Sequence, residues 1–390
     1  MTATEQLAQV FKISKGKKAA KVIDEPNAGA LPYIQIDEVR GTRPSKYVVD
    51  PKAVEVTEDD LCIVWDGANA GTVGYGVKGA IGSTVARMRL KQPEKWEPRF
   101  LGRLLGSKFQ ELNDQAQARG ATIPHVDKAK LEEIVFPKIH RDEQRRIAAI
   151  LDKADAIRRK RQQALDLADD FLKSAYVHLV GHRNPAYAEW MPETIEKLAQ
   201  DKKGAIRSGP FGSALLHSEF VDEGVAVLGI DNAVQNQFAW GQRRFITEEK
   251  YEELRRYRVF PGDVIITIMG TTGRSAVVQD DIPEAITTKH LASITCDTSK
   301  ILPEVLSFAI HSDPMIIRQI KQHNKGAIMD GLNLGIIKQL VLPKPPMKLQ
   351  QRFAEALRSV SKHRKQISAE LGDGTELFAS LSQRAFRGEL

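Results

Sequence analysis

The sequence predicts an α/β (α+β) protein of two similar domains with mixed sheets, separated by two long helices that form an antiparallel coiled coil, with a pseudo-twofold internal repeat. Three observations predict it. A stretch from Gly120 to Leu151 recurs 206 residues later, compact β-branched runs recur inside each copy, and an apolar seam of helical spacing follows each copy.

In the repeat, Gly120-Ala121-Thr122-Ile123 is echoed by Gly326-Ala327-Ile328-Met329. Ile134-Val135-Phe136-Pro137-Lys138 is echoed by Leu340-Val341-Leu342-Pro343-Lys344. The same spacing carries Gln144, Arg146, Ile147 and Leu151 onto Gln350, Arg352, Phe353 and Leu357 without a gap. Upstream, Tyr33 to Asp37 matches Val227 to Asp231, and Asp60 to Ile63 matches Asp263 to Ile266. Gly71 to Val73 resembles Gly273 to Ser275, and Gly79 to Ile81 resembles Glu284 to Ile286, at offsets drifting between 194 and 205. Drift in loops around a fixed frame is expected of two copies of one fold that differ where they contact something.

Leu61 to Trp65 and Val264 to Met269 are compact apolar runs preceded by acidic or Gly-containing turns, so they read as strands, as does Ile81 to Leu90. After each Pro-Lys the period becomes helical. Ile147, Ile150, Ala154, Ile157, Arg161, Ala164, Ala168, Phe171 and Ala175 form one seam. Phe353, Leu357, Val360, Arg364, Ile367, Leu371, Gly374, Phe378, Leu381 and Ala385 form the other, with fraying or a bend expected at Gly372-Asp373-Gly374. An antiparallel pair would bury both seams, and a helix from Ile147 to Val180 would span about 50 Å. The alternative is that each helix packs only on its own domain. The predicted organisation is a first domain over 1–139, a central helix over 140–181, a second domain over 182–345 and a final helix over 346–390.

At 390 residues the chain is long enough for two or three domains, and its 42% hydrophobic and 27% charged content is ordinary for a globular protein. No apolar run is long enough to span a bilayer, and Met1 to Val10 does not read as a signal peptide, so a cytoplasmic location without a membrane role is expected. Cys62 and Cys296 each sit inside an apolar stretch and read as buried thiols. The net charge of +7 permits a polyanionic partner.

Chemical motifs are sparse. Gly74-Tyr75-Gly76-Val77-Lys78-Gly79 satisfies G-x-G-x-x-G, but a strand rather than a helix is expected after it, so a glycine-rich turn is the better reading. No phosphate-cradling ATPase loop and no amino-methyltransferase motif occurs. His290, His311 and His323 lack metal-ligand spacing, and Ser208 and Ser213 lack a G-x-S-x-G setting. No catalytic, cofactor or metal residue is therefore assigned. The nearest approach to a Mg²⁺ site is Asp231 with Glu248-Glu249-Lys250.

Turns beside the strands carry side chains suited to base edges and phosphates. Arg207, Ser208, Phe211 and Ser213 stand in one, and Thr271, Thr272 and Arg274 in another. In the first copy the corresponding stretch offers Trp65, Asp66, Asn69 and Thr72, with Asp66 suited to a cytosine amino group and Asn69 to adenine. Arg43, Lys46 and Lys78 there, and Asn232, Lys289, His290 and Lys325 in the second copy, complete the candidate DNA-binding set. The alternative is ordinary polar turns. Arg158-Arg159-Lys160-Arg161 is either a solvated helix face or a phosphate-tracking one.

Asp263 to Arg274, Asn333-Leu334, and Leu342 to Pro346 followed by Gln350-Gln351 resemble the second target-recognition domain and following helix of Type I restriction-modification specificity subunits. Ser208 to Ser213 through Gly229 to Asn232 resembles that domain's opening, and Phe136-Pro137 with Asp142 to Ile147 resembles the entry to the central helix. His140-Arg141 stands where a proline pair is expected, Lys348 to Gln350 lacks a Glu before Gln, and Lys15 to Ala28 matches poorly. The resemblance implies a DNA-reading subunit without catalysis of its own, each domain reading one half of a split site on double-stranded DNA. It implies two methyltransferase subunits and restriction/translocase subunits as partners, in which S-adenosylmethionine, ATP and Mg²⁺ would act. The helix interface would use Ile147, Ile150, Ile157, Phe171, Phe353, Leu357, Val360, Ile367 and Phe378. Two readings from other classes remain: a metal-dependent nuclease using Asp231 and Glu248, and a two-domain protein-binding scaffold.

Overall fold

A computed structural model describes residues 3–117, 124–324, 331–387 and 389. The chain divides into two compact units, one of Met1–Gln163 with Ser368–Leu390 and one of Ala164–Ile367. Gly120 to Ile123 and Gly326 to Met329, where the repeat is first seen in the sequence, lie outside the described residues. Among the described residues no helix is long and apolar enough to cross a membrane.

The first unit contains β1 (Thr4–Gln6), β2 (Phe11–Lys15), β3 (Val22–Ile23), β4 (Leu31–Ile34), β5 (Tyr47–Val48), β6 (Val54–Val56), β7 (Leu61–Val64), β8 (Val73–Tyr75), β9 (Gly79–Ile81), β10 (Val85–Leu90) and β11 (Val135–Pro137). They form sheets ordered β1-β11, β2-β10-β7-β8 and β3-β5-β4-β9-β6. Among the described strands of this unit only β4 and β9 pair in parallel. β7 is apolar throughout because both of its faces are covered: Leu61 and Ile63 enter one core, Cys62 and Val64 another.

The second unit contains β12 (Pro192–Thr194), β13 (Ile206–Ser208), β14 (Val225–Leu228), β15 (Phe245–Ile246), β16 (Val264–Thr267), β17 (Ser275–Val277), β18 (Ala285–Thr287), β19 (Leu291–Ile294) and β20 (Val341–Pro343). Its sheets are β12-β20, β13-β19-β16-β17 and β15-β14-β18, again with one parallel pair, β14 with β18. Two of the three sheet orders therefore match, β1-β11 with β12-β20 and β2-β10-β7-β8 with β13-β19-β16-β17, while β3 and β6 extend the third sheet of the first unit and have no counterpart among the described strands of the second. β16 divides as β7 does, with Val264 and Ile266 in one core and Ile265 in another.

Two repeated polar residues hold equivalent places. Asp60 and Asp263, both buried, close the turn before β7 and β16 by accepting the N–H of Thr57 at 2.9 Å and of Phe260 at 2.8 Å. Gln144 accepts the Glu97 N–H at 2.8 Å and donates to the carbonyls of Lys95 and Ile139. Gln350 accepts the Leu302 N–H at 2.9 Å and donates to Lys300 and Pro345. Each glutamine ties the first turn of a long helix to the start of a shorter one, Pro98–Ser107 or Pro303–Ser312.

The long helices are Arg141–Leu179 and Met347–Arg387, and each contributes to both units. In the first unit, Ile147, Ala148 and Leu151 share a core with Ala385, against which Phe378 and Leu381 pack, and Arg161 pairs with Glu370 at 3.1 Å. In the second, Tyr176 meets Phe353 edge-on at 5.5 Å, Leu357 and Val360 pack on the same core, and Arg364 pairs with Asp169 at 2.9 Å. Within each unit rising numbers on one helix meet falling numbers on the other, so the pairing is antiparallel.

The seam predicted on the second helix has no exposed member, Ile367 being half-buried like its neighbours. The first seam needs correction. Ile150 is half-buried, but Ile157 is 43% and Phe171 55% exposed. The buried face runs instead through Ile147, Ala148, Leu151 and Asp155, then Leu172, Tyr176 and Val180. Asp155 belongs to it because Arg103 of the Pro98–Ser107 helix pairs with its carboxylate at 2.9 Å, a polar position that counting apolar residues passes over. The fraying expected at Gly372 to Gly374 does not occur among the described residues. The helix continues, and a Cβ on Gly374 would lie 3.1 Å from the Arg161 guanidinium, so the glycine leaves room for that side chain.

Candidate nucleic-acid interface

In the second unit, loops leave β13, β14, β16 and β18 at one end. Backbone bonds tie them together: Gly209 N–H to Leu291, Thr288 N–H to Leu228 at 2.8 Å, and Ile268 N–H to His290 at 2.9 Å. Gly209 is required by close approach, since a Cβ there would lie 2.2 Å from the Thr287 carbonyl. The longer connection from Ala233 to Arg244 joins the same end through Val227 N–H to Arg244 and an Arg244–Asp231 pair at 3.0 Å.

Phe211, Ser213, Thr271, Arg274 and Lys289 are exposed on these loops, as are Trp240 and Arg243. Arg243 lies over the Trp240 ring at 5.2 Å. Burial first, and then the positive charges of Lys289 and Arg244, hold His290 below the usual histidine range. Thr272 Oγ1, Thr288 Oγ1 and Asp231 Oδ2 are buried here without a hydrogen-bond partner. The two hydroxyls can donate to an anionic ligand and the carboxylate oxygen can accept from an amino group, so this cationic and aromatic loop end suits a ligand that carries both, as the edges and phosphates of DNA do.

The first unit builds the same end with other residues. Gly82 N–H bonds Ile34, Gly16 N–H bonds Val85, and Trp65 N–H bonds Thr84 at 2.7 Å. A Cβ on Gly16 would lie 2.2 Å from the Gly82 carbonyl, so Gly16 is the counterpart of Gly209. Arg43 and Lys46 are exposed on the connection from Val39 to β5, beside the end of β4.

Several predicted contacts are corrected by their surroundings. Arg207 is buried and bound to Asp263, with further bonds to Arg258 O, Gly204 O and Thr295 Oγ1, so it braces the sheet. Asn232 is buried, accepting the Gly229 N–H and donating to Ala239 O at 2.8 Å. Trp65 packs on the first core, and the Thr72 hydroxyl donates to Asn69 O. Lys78 precedes β9, at the opposite end of that strand from Gly82. Asp66 is paired with Lys15 at 2.7 Å, and Asn69 accepts from Arg40 at 2.5 Å, so both remain at the loop end as ion-paired or bonded groups. Ser208 is half-buried at the end of β13, and Lys325 lies outside the described residues.

Lys15, Arg40, Trp240, Arg243 and Arg244 were missed by the sequence reading. The interleaved Phe238-Ala239-Trp240-Gly241-Gln242-Arg243-Arg244 was the available signal for the last three. Asp231, offered for a nuclease, has its charge taken by Arg244. Among the described residues no group of three metal-ligating side chains comes together. The G-x-G-x-x-G segment passes from β8 into β9, with no helix after it.

Comparison with known proteins agrees with this geometry. A family model described as the Type I restriction modification DNA specificity domain matches residues 3–167 and 216–372. The chain is 26% identical over 369 residues to the Type I restriction enzyme MjaVIII specificity subunit of Methanocaldococcus jannaschii, covering 91% of this chain and 85% of that protein. It is 22% identical over 394 residues to the Type I restriction enzyme EcoBI specificity subunit of Escherichia coli, covering 92% and 80%. The S subunit of a Type-I restriction-modification system from M. genitalium superposes with a TM-score of 0.65 at 17% identity, over 99% of this chain and 96% of that one. A chain from a structure of the type I R-M system gives 0.52 at 16% identity, over 100% and 98%. With its two matched segments, duplicated sheets and duplicated loop ends, the chain belongs to the Type I restriction-modification DNA specificity family.

Proposed function

We propose that each unit reads one half of a bipartite double-stranded DNA site, and that the long helices set the spacer and dock two methyltransferase subunits. The observation that carries this reading is one loop end built twice on one frame with different side chains. Arg274, Lys289, Arg243 and Trp240 offer cationic and stacking contacts in one copy, and Lys15, Arg40, Arg43 and Asn69 offer another set in the other. Different side chains on one frame suit two different half-sites.

The chain supplies recognition. Methyl transfer with S-adenosylmethionine, and ATP- and Mg²⁺-dependent translocation and cleavage, belong in this reading to methyltransferase and restriction subunits that assemble with it in the cytoplasm. Selection of randomised duplexes by the complex with its methyltransferase subunits tests the proposal: two short motifs separated by a fixed gap are expected, and one contiguous motif would overturn it. Incubating the chain alone with DNA and Mg²⁺ should give no cleavage.

A further inference from the structure

A second charged region lies at the opposite end of β13. Ile206, its first residue, lines a concave basin of about 700 Å³ whose charged wall is six lysines, Lys197, Lys202, Lys203, Lys300, Lys338 and Lys344, against three carboxylates, Glu193, Glu196 and Asp201, so the lysines outnumber the acids two to one. Lys197, Lys300 and Lys338 are neutralised by Glu193 at 3.7 Å, Asp297 at 2.9 Å and Glu196 at 3.0 Å. Lys202 lies over the Phe260 ring at 5.5 Å, and among the described residues no carboxylate pairs with Lys202, Lys203 or Lys344. The β-turn closed by Ala205 N–H to Lys202 O has Gly204 at φ +84°, and it leaves the amides of Lys203 and Gly204 without an intramolecular hydrogen bond.

This wall is an addition to the repeated frame. Sheet register equates Pro192–Thr194 with Thr4–Gln6, and Ile206–Ser208 with residues 13–15. After the short helices Leu7–Val10 and Ile195–Leu198, two residues precede Ile13 in the first unit and seven precede its counterpart Ile206 in the second. The extra length brings Lys202, Lys203 and the Gly204 turn.

We propose that the basin binds a small polyphosphate-bearing anion, distinct from the DNA read at the loop end. Its volume is that of small-molecule sites. Its cations are all lysines, mobile point charges that suit several phosphates rather than one planar carboxylate gripped in a fork. Backbone N–H groups in a glycine turn add donors of the kind anions use. A duplex is not the occupant favoured here, because the loops that cluster around Gly209 lie at the other end of β13.

The test is calorimetric titration of the full chain at low salt with inorganic tripolyphosphate, with ATP, and with a random-sequence duplex. Tripolyphosphate should bind at one site, and K202Q/K203Q/K344Q should weaken it about tenfold or more. R274A/K289A, at the other end of the unit, should weaken duplex binding and leave tripolyphosphate unchanged. Equal binding of ATP and tripolyphosphate would mark the phosphate chain as the recognised group, and tighter ATP binding a nucleotide; both support the site. No tripolyphosphate binding, equal binding by wild type and the triple variant, or loss in that variant of duplex binding alone would overturn it. Circular dichroism on the triple variant, whose substituted side chains are not buried, confirms that it is folded.

Discussion

Gln144 and Gln350 each satisfy three backbone groups at the point where a long helix begins. Replacing either by Ala leaves a buried N–H and two carbonyls unpaired, so Q144A and Q350A should each cost about 1–3 kcal/mol or more, read as a lower urea midpoint with unchanged slope. His311 makes a second prediction. Burial, with Arg274 nearby, lowers its pKa to about 4 from 6.5, and its Nδ1 stands 3.1 Å from Ser275 Oγ. The folded state therefore takes up this proton less readily than the unfolded chain. Stability should fall as pH drops from about 6.5 towards 4, by up to about 3 kcal/mol from this group, and H311Q should flatten that slope in thermal melts.

Among the elements, the loop ends depend on two glycines. Gly209→Ala would drive a Cβ against the Thr287 carbonyl, and Gly16→Ala against that of Gly82. Each should weaken recognition of one half-site about tenfold while leaving the other intact, measured on duplexes with one half scrambled. The strands were legible because compact apolar runs such as Val264-Ile265-Ile266 and Leu61-Cys62-Ile63 are buried on both faces and must be apolar. Gly16 was not, because a close approach leaves only a missing side chain as its signal, and because extra residues before β13 shift the register between copies. The offset at β9 and β18 was also one residue short: Ile81 pairs with Ile34 as Thr287 pairs with Leu228, a spacing of 206. Arg207 looked like a base reader in the sequence. Only the fold reveals Asp263 beneath it.

For the molecule as a whole, phosphate contacts and base contacts should separate by their salt response. Lys289→Ala should weaken all duplexes alike and reduce the salt slope by about 1, whereas Arg274→Ala should also relax preference within one half-site, by about 1–3 kcal/mol. Filter binding across a salt series, on matched and scrambled duplexes, distinguishes them.

The first unit is discontinuous in the chain, since its core includes Ala385 and packs against Phe378 and Leu381, some 220 residues beyond the rest. On a ribosome the N-terminal unit is thus begun first and closed last, after the whole second unit has been made. Nascent chains stalled before Ser368 should protect the second core from proteolysis while the first stays open. The birth order and folding order of the two units are reversed, and the returning helix segment from Ser368 onward acts as the clasp.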